Sequence, residues 1–318
     1  MGGSKDSDIP PALRDALISP GSAPTARPIL AFANIPVEAI CGRLLRCLLL
    51  ALASLTWGQA PVGAQTIQTS ARFAILMDGD SGAILFEKSA DASMTPASLA
   101  KLMTAHILFD EIKRGRLKLD DEVAISENAA RGAAAGRSAM FLTPGSRVKV
   151  RDLMTGLVVL SGNDAAIALA EAIGGSEENF AGMMTQRARE LDLPRSTFLN
   201  ATGLPAPRQK ATAREMAMLA NSLIRTHAEF YGVFGVKEFA WNNNRRQNRN
   251  PLLAMNIGAD GLKTGMLRES GFGLVGSAVR RGRRLILVVN GLASERQRAE
   301  ESRKLLEWGF RRLRAGAS

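Results

Sequence analysis

Three apolar runs near the carboxy end follow one another almost without a break: Ala259 to Gly265, Gly271 to Val279 and Arg284 to Asn290. Parallel neighbours need a crossover of a dozen residues or more, so strands joined this tightly must be antiparallel. Arg280-Arg281-Gly282-Arg283 makes the last turn. The sheet needs a cover, and Glu295 to Leu313 reads as a closing helix with Leu305, Leu306, Trp308 and Phe310 on its buried face. A hairpin signal lies at the other end, where Ala71 to Met77 and Ala83 to Phe86 flank Asp78-Gly79-Asp80-Ser81-Gly82. Between the two, helices are expected over Ser98 to Lys113, Val148 to Leu160, Asp164 to Ile173, Ser176 to Leu191 and Thr212 to Leu223. Asn128 to Ser138 has no period and reads as a loop. The order is hairpin, helices, meander, helix. That is one α+β unit, an antiparallel sheet covered by helices, with a helical subdomain over about residues 114–225. No internal repeat and no linker to a second β-rich domain is visible.

The first 64 residues read differently. Arg43 and Arg46 precede an apolar run from Cys47 to Trp57, and Val62-Gly63-Ala64 offers small residues for cleavage. This is the pattern of a secretory signal peptide behind an unstructured Pro/Ala-rich leader, with the working chain starting near Gln65. The run, about 11 residues, is too short to span a bilayer. Export to the periplasm or cell envelope is the expectation.

Composition excludes more than it selects. Two cysteines rule out a disulfide scaffold, and both fall in the leader. The only histidines, His106 and His227, lie far apart in sequence and match no zinc spacing, so no metal and no cofactor is expected. The net charge of +11 favours anionic surfaces. A nucleic-acid binder would interleave aromatics with its basic residues, yet there is one tyrosine and the arginines are scattered, so none is expected.

Three short stretches could carry chemistry. In Ser98-Leu99-Ala100-Lys101 the serine and lysine share one face at a helix start, where a desolvated lysine could take the hydroxyl proton. A capping serine beside a solvated lysine is the plain alternative. Ser161-Gly162-Asn163 is a polar break between helices, or simply a turn. Lys263-Thr264-Gly265 puts a charge on an apolar strand, or on an edge facing solvent; the glycine permits close approach of a ligand backbone. Taken together and in this order, they are the signature of penicillin-recognising serine enzymes.

Longer blocks extend the match: Pro96 to Thr104, Leu160 to Ala165, Asp260 to Gly265, Phe198-Leu199-Asn200 with Gly203-Leu204-Pro205, and Asn248-Arg249-Asn250. Over about residues 68–312 the chain resembles the low-molecular-mass D-alanyl-D-alanine carboxypeptidases, peptidase family S11. The resemblance implies the serine β-lactamase/DD-peptidase-like fold and no cofactor. It implies Ser98 as nucleophile, Lys101 as general base, Ser161 as proton relay and Asn163 as holder of the lysine and the peptide amide. Lys263 would keep the field positive. Thr264, Gly265 and Arg249 would bind or position the substrate carboxylate, and the backbone N–H groups of Ser98 and Met266 would form the oxyanion hole. Peptidoglycan stem peptides would be the substrate and β-lactams the covalent inhibitors. A D,D-endopeptidase acting on crosslinks uses the same chemistry and is the main alternative; a serine β-lactamase or a non-catalytic wall-binding protein fits less well. Three departures stand out: Ala100 where threonine is common, Met266-Leu267 where His-Thr is common, and no β-rich second domain or amphipathic tail. The last leaves at most a salt-sensitive association with membrane surfaces.

Overall fold

The computed structural model describes residues 67–135 and 138–315. The leader and signal-peptide reading falls outside them. The elements run β1 (Phe73–Asp78), β2 (Ile84–Lys88), a 3-10 turn (Ala97–Ala100), α1 (Lys101–Lys113), β3 (Glu122–Ala124), α2 (Glu127–Arg131), β4 (Arg147–Lys149), α3 (Val150–Thr155), α4 (Asn163–Gly174), α5 (Glu177–Glu190), α6 (Ala213–Thr226), α7 (Ala228–Tyr231), β5 (Glu238–Trp241), β6 (Asn244–Gln247), β7 (Ala259–Leu267), β8 (Gly271–Arg280), β9 (Arg283–Leu292) and α8 (Glu295–Ala315).

The expected hairpin and meander join in a single five-stranded sheet, ordered β2-β1-β9-β8-β7, in which every pair is antiparallel. β9 is central, and its apolar run is continuous because both faces are covered. Ile286 and Val288 face a large core shared with α1, α4 and α6, while Leu285, Leu287 and Val289 face a second core shared with α8. Successive side chains on a strand point to opposite faces, so one run serves two layers.

Helix ends are set by side chains where the sequence offers them. Ser176 and Thr212 accept from the N–H groups of Asn179 and Glu215, each quieting one of the donors a helix start leaves free. Asn128 to Ser138 is not wholly a loop. Ser126 caps α2 in the same way, by accepting from Ala129 N–H, and a 3-10 turn follows. The expected helix from Val148 to Leu160 is shorter: it opens as strand β4 and ends in a π-turn over Gly156–Leu160.

The closing helix is a core element. Leu305, Leu306 and Phe310 are buried against the sheet. Trp308 is half-buried and meets Phe86 edge-on, with ring centroids 6.3 Å apart. Arg303, Lys304, Arg311 and Arg312 form its exposed basic edge. An apolar face used this way cannot also enter lipid. No helix among the described residues is long and apolar enough to cross a membrane. Leu306→Ala should cost about 2–5 kcal/mol of unfolding free energy, and removing residues 301–318 should abolish cooperative unfolding. Thermal and urea denaturation would check both.

One expectation is corrected outright. His106 and His227 are not apart: α1 and the end of α6 bring their rings to 4.7 Å, edge to face. Sequence distance says nothing about helices that pack side by side.

Candidate active site

The 3-10 turn places Ser98 and Lys101 three residues apart, the spacing at which side chains in such a turn eclipse one another. Ser98 is half-buried and Lys101 is 2% exposed. The Lys101 ammonium reaches Ser98 Oγ at 3.2 Å, Asn163 Oδ1 at 2.8 Å and the Thr202 carbonyl at 2.6 Å. The first two motifs therefore meet at this lysine.

Asn163 opens α4, directly after the break that the sequence marked. Ser161 there has a left-handed backbone (φ 58°), an uncommon conformation for a residue with a side chain. Its hydroxyl is buried without a hydrogen-bond partner, so in this structure it does not bond Lys101. Asp164, fully buried, accepts from the Met140 and Leu142 N–H groups and ties the preceding loop to this corner.

β7 brings the third motif. Lys263 and Thr264 are buried, which excludes the solvent-facing edge reading. A Cβ on Gly265 would meet Leu99 Cγ at 3.1 Å and Pro96 O at 3.2 Å, so glycine lets the strand lie against the turn that carries Ser98. Lys263 Nζ donates to its neighbour's carbonyl, Thr264 O, at 3.0 Å. Arg249 donates to Ser138 Oγ at 2.8 Å, and the Ser138 carbonyl accepts from Asn163 N–H at 2.8 Å, which links Arg249 to the second motif. Met266 is the exposed end of this strand segment.

Burial pushes the Lys101 ammonium down to about 7; the charge of Arg249 adds to this, and Asp164 and Glu177 oppose it. Lys263 is also held well below its usual value, first by burial and then by Lys101, Arg249 and Arg298. Both are under pressure, and Lys101 has two acidic neighbours and three polar contacts to support its charge. The charges that act on Lys263 are all positive, so what this corner lacks is negative charge.

Two contributors had escaped the sequence reading. One is the Thr202 carbonyl; the other is Ser138. The Thr202 segment is fixed by Asn200, whose side chain accepts from the Thr202 hydroxyl at 3.0 Å and from Gly203 N–H at 2.7 Å. Gly203 has φ +81°, and a Cβ there would fall 1.8 Å from the Ala97 carbonyl oxygen, so no other residue fits beside the serine turn. The Asn-Ala-Thr-Gly run is a turn signal that could have pointed here.

Residues 60–294 match the Peptidase_S11 family model, described as D-alanyl-D-alanine carboxypeptidase. D-alanyl-D-alanine carboxypeptidase DacC of Escherichia coli is 45% identical over 254 residues, which are 78% of this chain and 64% of that protein. DacD of the same organism is 43% identical over 241 residues, 74% of this chain and 62% of that protein. The chain thus spans just under two thirds of the length of these curated relatives. Among solved structures, penicillin binding protein 5 from Haemophilus influenzae superposes with a TM-score of 0.75 at 40% identity, covering 77% of this chain and 72% of that one. Ampicillin-bound penicillin-binding protein D2 from Listeria monocytogenes gives 0.67 at 29% identity, covering 77% and 98%.

Proposed function

The chain belongs to the S11 family of D-alanyl-D-alanine carboxypeptidases, and on that premise we propose that it is a serine-type carboxypeptidase which removes the terminal D-alanine from peptidoglycan pentapeptides. The observation that carries the reading is the buried Lys101 ammonium at 3.2 Å from Ser98 Oγ with its proton affinity brought down to about 7. A lysine in that state is neutral for a useful fraction of the time and can act as a base near neutral pH.

Neutral Lys101 takes the Ser98 hydroxyl proton as Oγ attacks the carbonyl between the last two D-alanines. The negative charge on the tetrahedral oxygen is met by the Ser98 and Met266 N–H groups. The C–N bond then breaks, and the departing nitrogen receives a proton from Lys101 relayed by the Ser161 hydroxyl. The orphaned, buried state of that hydroxyl supports such a waiting role, because buried polar atoms seldom go unpaired. Asn163 holds Lys101 and the substrate amide. The terminal carboxylate sits against Lys263, Thr264, Gly265 and Arg249 and supplies the negative charge that corner lacks. D-alanine leaves, water attacks the acyl-Ser98 ester, and the shortened peptide is released.

β-Lactams mimic the dipeptide terminus and acylate Ser98, a reading supported by the ampicillin-bound relative. The working unit is the single domain from about Gln65 onwards, exported to the periplasm or cell envelope. Amino-terminal sequencing of the exported protein should begin near Gln65; a start before Cys41 overturns the processing.

Incubation with a pentapeptide ending in D-Ala-D-Ala should release one D-alanine per peptide. Crosslinked dimers should be cut much more slowly. Preferential cleavage of the dimer would make the enzyme an endopeptidase, and rapid turnover of penicillin without peptide cleavage would make it a β-lactamase.

A further inference from the structure

A second cluster of chemistry-bearing side chains lies further along α1, away from Ser98. His106 and Asp110 are one helical turn apart on that helix, and His227 enters from the α6–α7 junction. Their candidate ligand atoms all lie within 4.8 Å of one another. We propose that His106, Asp110 and His227 bind one divalent first-row transition-metal ion, zinc matching the donor set best, and that the ion ties α1 to the α6–α7 junction.

The argument begins with what the three side chains fail to do for each other. His106 Nδ1 stands 3.7 Å from Asp110 Oδ2, and His227 Nε2 stands 3.5 Å from Asp110 Oδ1. Both separations are beyond a good hydrogen bond. His106 Nδ1 and both nitrogens of His227 are left without hydrogen-bond partners, in side chains only 3% and 1% exposed. Burying such atoms unpaired costs free energy, and native folds rarely leave three together. A proton can satisfy one gap. A single cation that draws the donors in to about 2.0–2.2 Å satisfies one nitrogen of each ring and the carboxylate together.

The surroundings suit a metal. His106 Nε2 lies 3.1 Å from Ser222 Oγ. When Nε2–H donates there, Nδ1 keeps its lone pair facing Asp110, the outer hydrogen bond that orients a ligating imidazole. Neither nitrogen of the His227 ring is engaged by a hydrogen bond, so one is open to a metal. The ring is held by Phe109, edge-on at 5.6 Å. Two imidazoles and a carboxylate suit zinc and its first-row neighbours better than calcium or magnesium, which favour oxygen donors.

Arg187 is the competing cation, 2.8 Å from Asp110 Oδ2. It also reaches Glu190 at 3.0 Å, so a carboxylate remains for it when Asp110 turns to a metal. Arg187 further lines a pocket of about 220 Å³ between α1 and α5, and Asp110 is 15% exposed, which together give an ion a way in.

The chain has two histidines, which makes the test direct. Untagged, EDTA-treated full-length protein is titrated with zinc while ring ¹⁵N resonances are followed, and with cobalt while the visible spectrum is read. Expected are saturation at one equivalent, shifts of both imidazoles, a cobalt d–d band and a melting temperature several degrees higher with zinc. His106→Gln and His227→Gln, checked for cooperative unfolding, should each weaken binding at least tenfold. Rings that do not move at millimolar zinc overturn the site and leave a proton or a bridging water in the gap. Binding retained in the double variant also overturns it, by placing the metal elsewhere. Should a variant not fold, the ring resonances of the wild type decide alone.

Discussion

The Ser98→Ala protein should gain no mass on incubation with penicillin, while the wild type gains one drug mass, and D-alanine release should fall by at least about 10³-fold. The prediction follows from where Ser98 sits. Its Oγ is the only hydroxyl among the described residues to which Lys101 Nζ donates, and the otherwise buried turn that carries it packs closely against Gly203 and Gly265. Removing one oxygen from that turn takes away a single hydrogen bond. Lys101 keeps Asn163 and the Thr202 carbonyl, so the variant should fold as the wild type does. Loss of labelling with an unchanged melting temperature then reports chemistry and not unfolding. The neighbouring serine offers a control. Ser161 is more deeply buried, left-handed, and makes no hydrogen bond to Lys101. Ser161→Ala should slow turnover and still take up the drug. If Ser98→Ala is labelled as well as the wild type, Ser98 is not the nucleophile and the reading of the site fails.

What the sequence made legible was what side chains announce at short range. The strand runs near the carboxy end could only be antiparallel, because the turns between them are too short for anything else. Ser98 and Lys101 declared themselves by being three apart at a helix start. Side chains that act across the fold were legible only as candidates, because S-x-x-K, S-x-N and K-T-G each have a bland meaning alone. The Thr202 carbonyl was invisible for a different reason. Every residue carries a carbonyl, and only the turn built by Asn200 and Gly203 aims this one at the lysine. The β5–β6 hairpin was missed because each strand is only four residues long and β6 is wholly polar, so the Phe239/Trp241 alternation of β5 has no apolar partner beside it; the Asn242-Asn243 turn, with both residues at positive φ, was a further local mark. The nearness of His106 and His227 was not legible because it comes from the packing of two helices that lie far apart in the chain.

Lys101→Arg should lose penicillin acylation by about three orders of magnitude or more, whereas Lys263→Arg should lose roughly one to two. Both lysines are 2% exposed and both lie below their usual proton affinity, so burial alone does not separate them. Their tasks do. Lys101 has to give up a proton to be of use, and a guanidinium does not. Lys263 has to present charge to a carboxylate, which a guanidinium does well. The pH profile carries the same division. As pH rises through about 7 the neutral fraction of Lys101 grows, so wild-type acylation should climb about tenfold per pH unit below that point and flatten above it. Lys263 works in the opposite sense. In the free enzyme its charge is opposed by Lys101, Arg249 and Arg298, and an arriving carboxylate reverses that by supplying the missing counter-charge. A substrate whose terminal carboxylate is capped as an amide should therefore bind poorly to the wild type, and replacing Lys263 should weaken the free acid far more than the amide. Stopped-flow acylation rates across pH 5–9 for the two arginine variants, beside the acid and amide peptides, would measure all of this. Equal residual rates in Lys101→Arg and Lys263→Arg would contradict the assignment of base and anchor. So would a wild-type profile that falls through neutrality, because a base held near 7 can only gain activity as it sheds its proton.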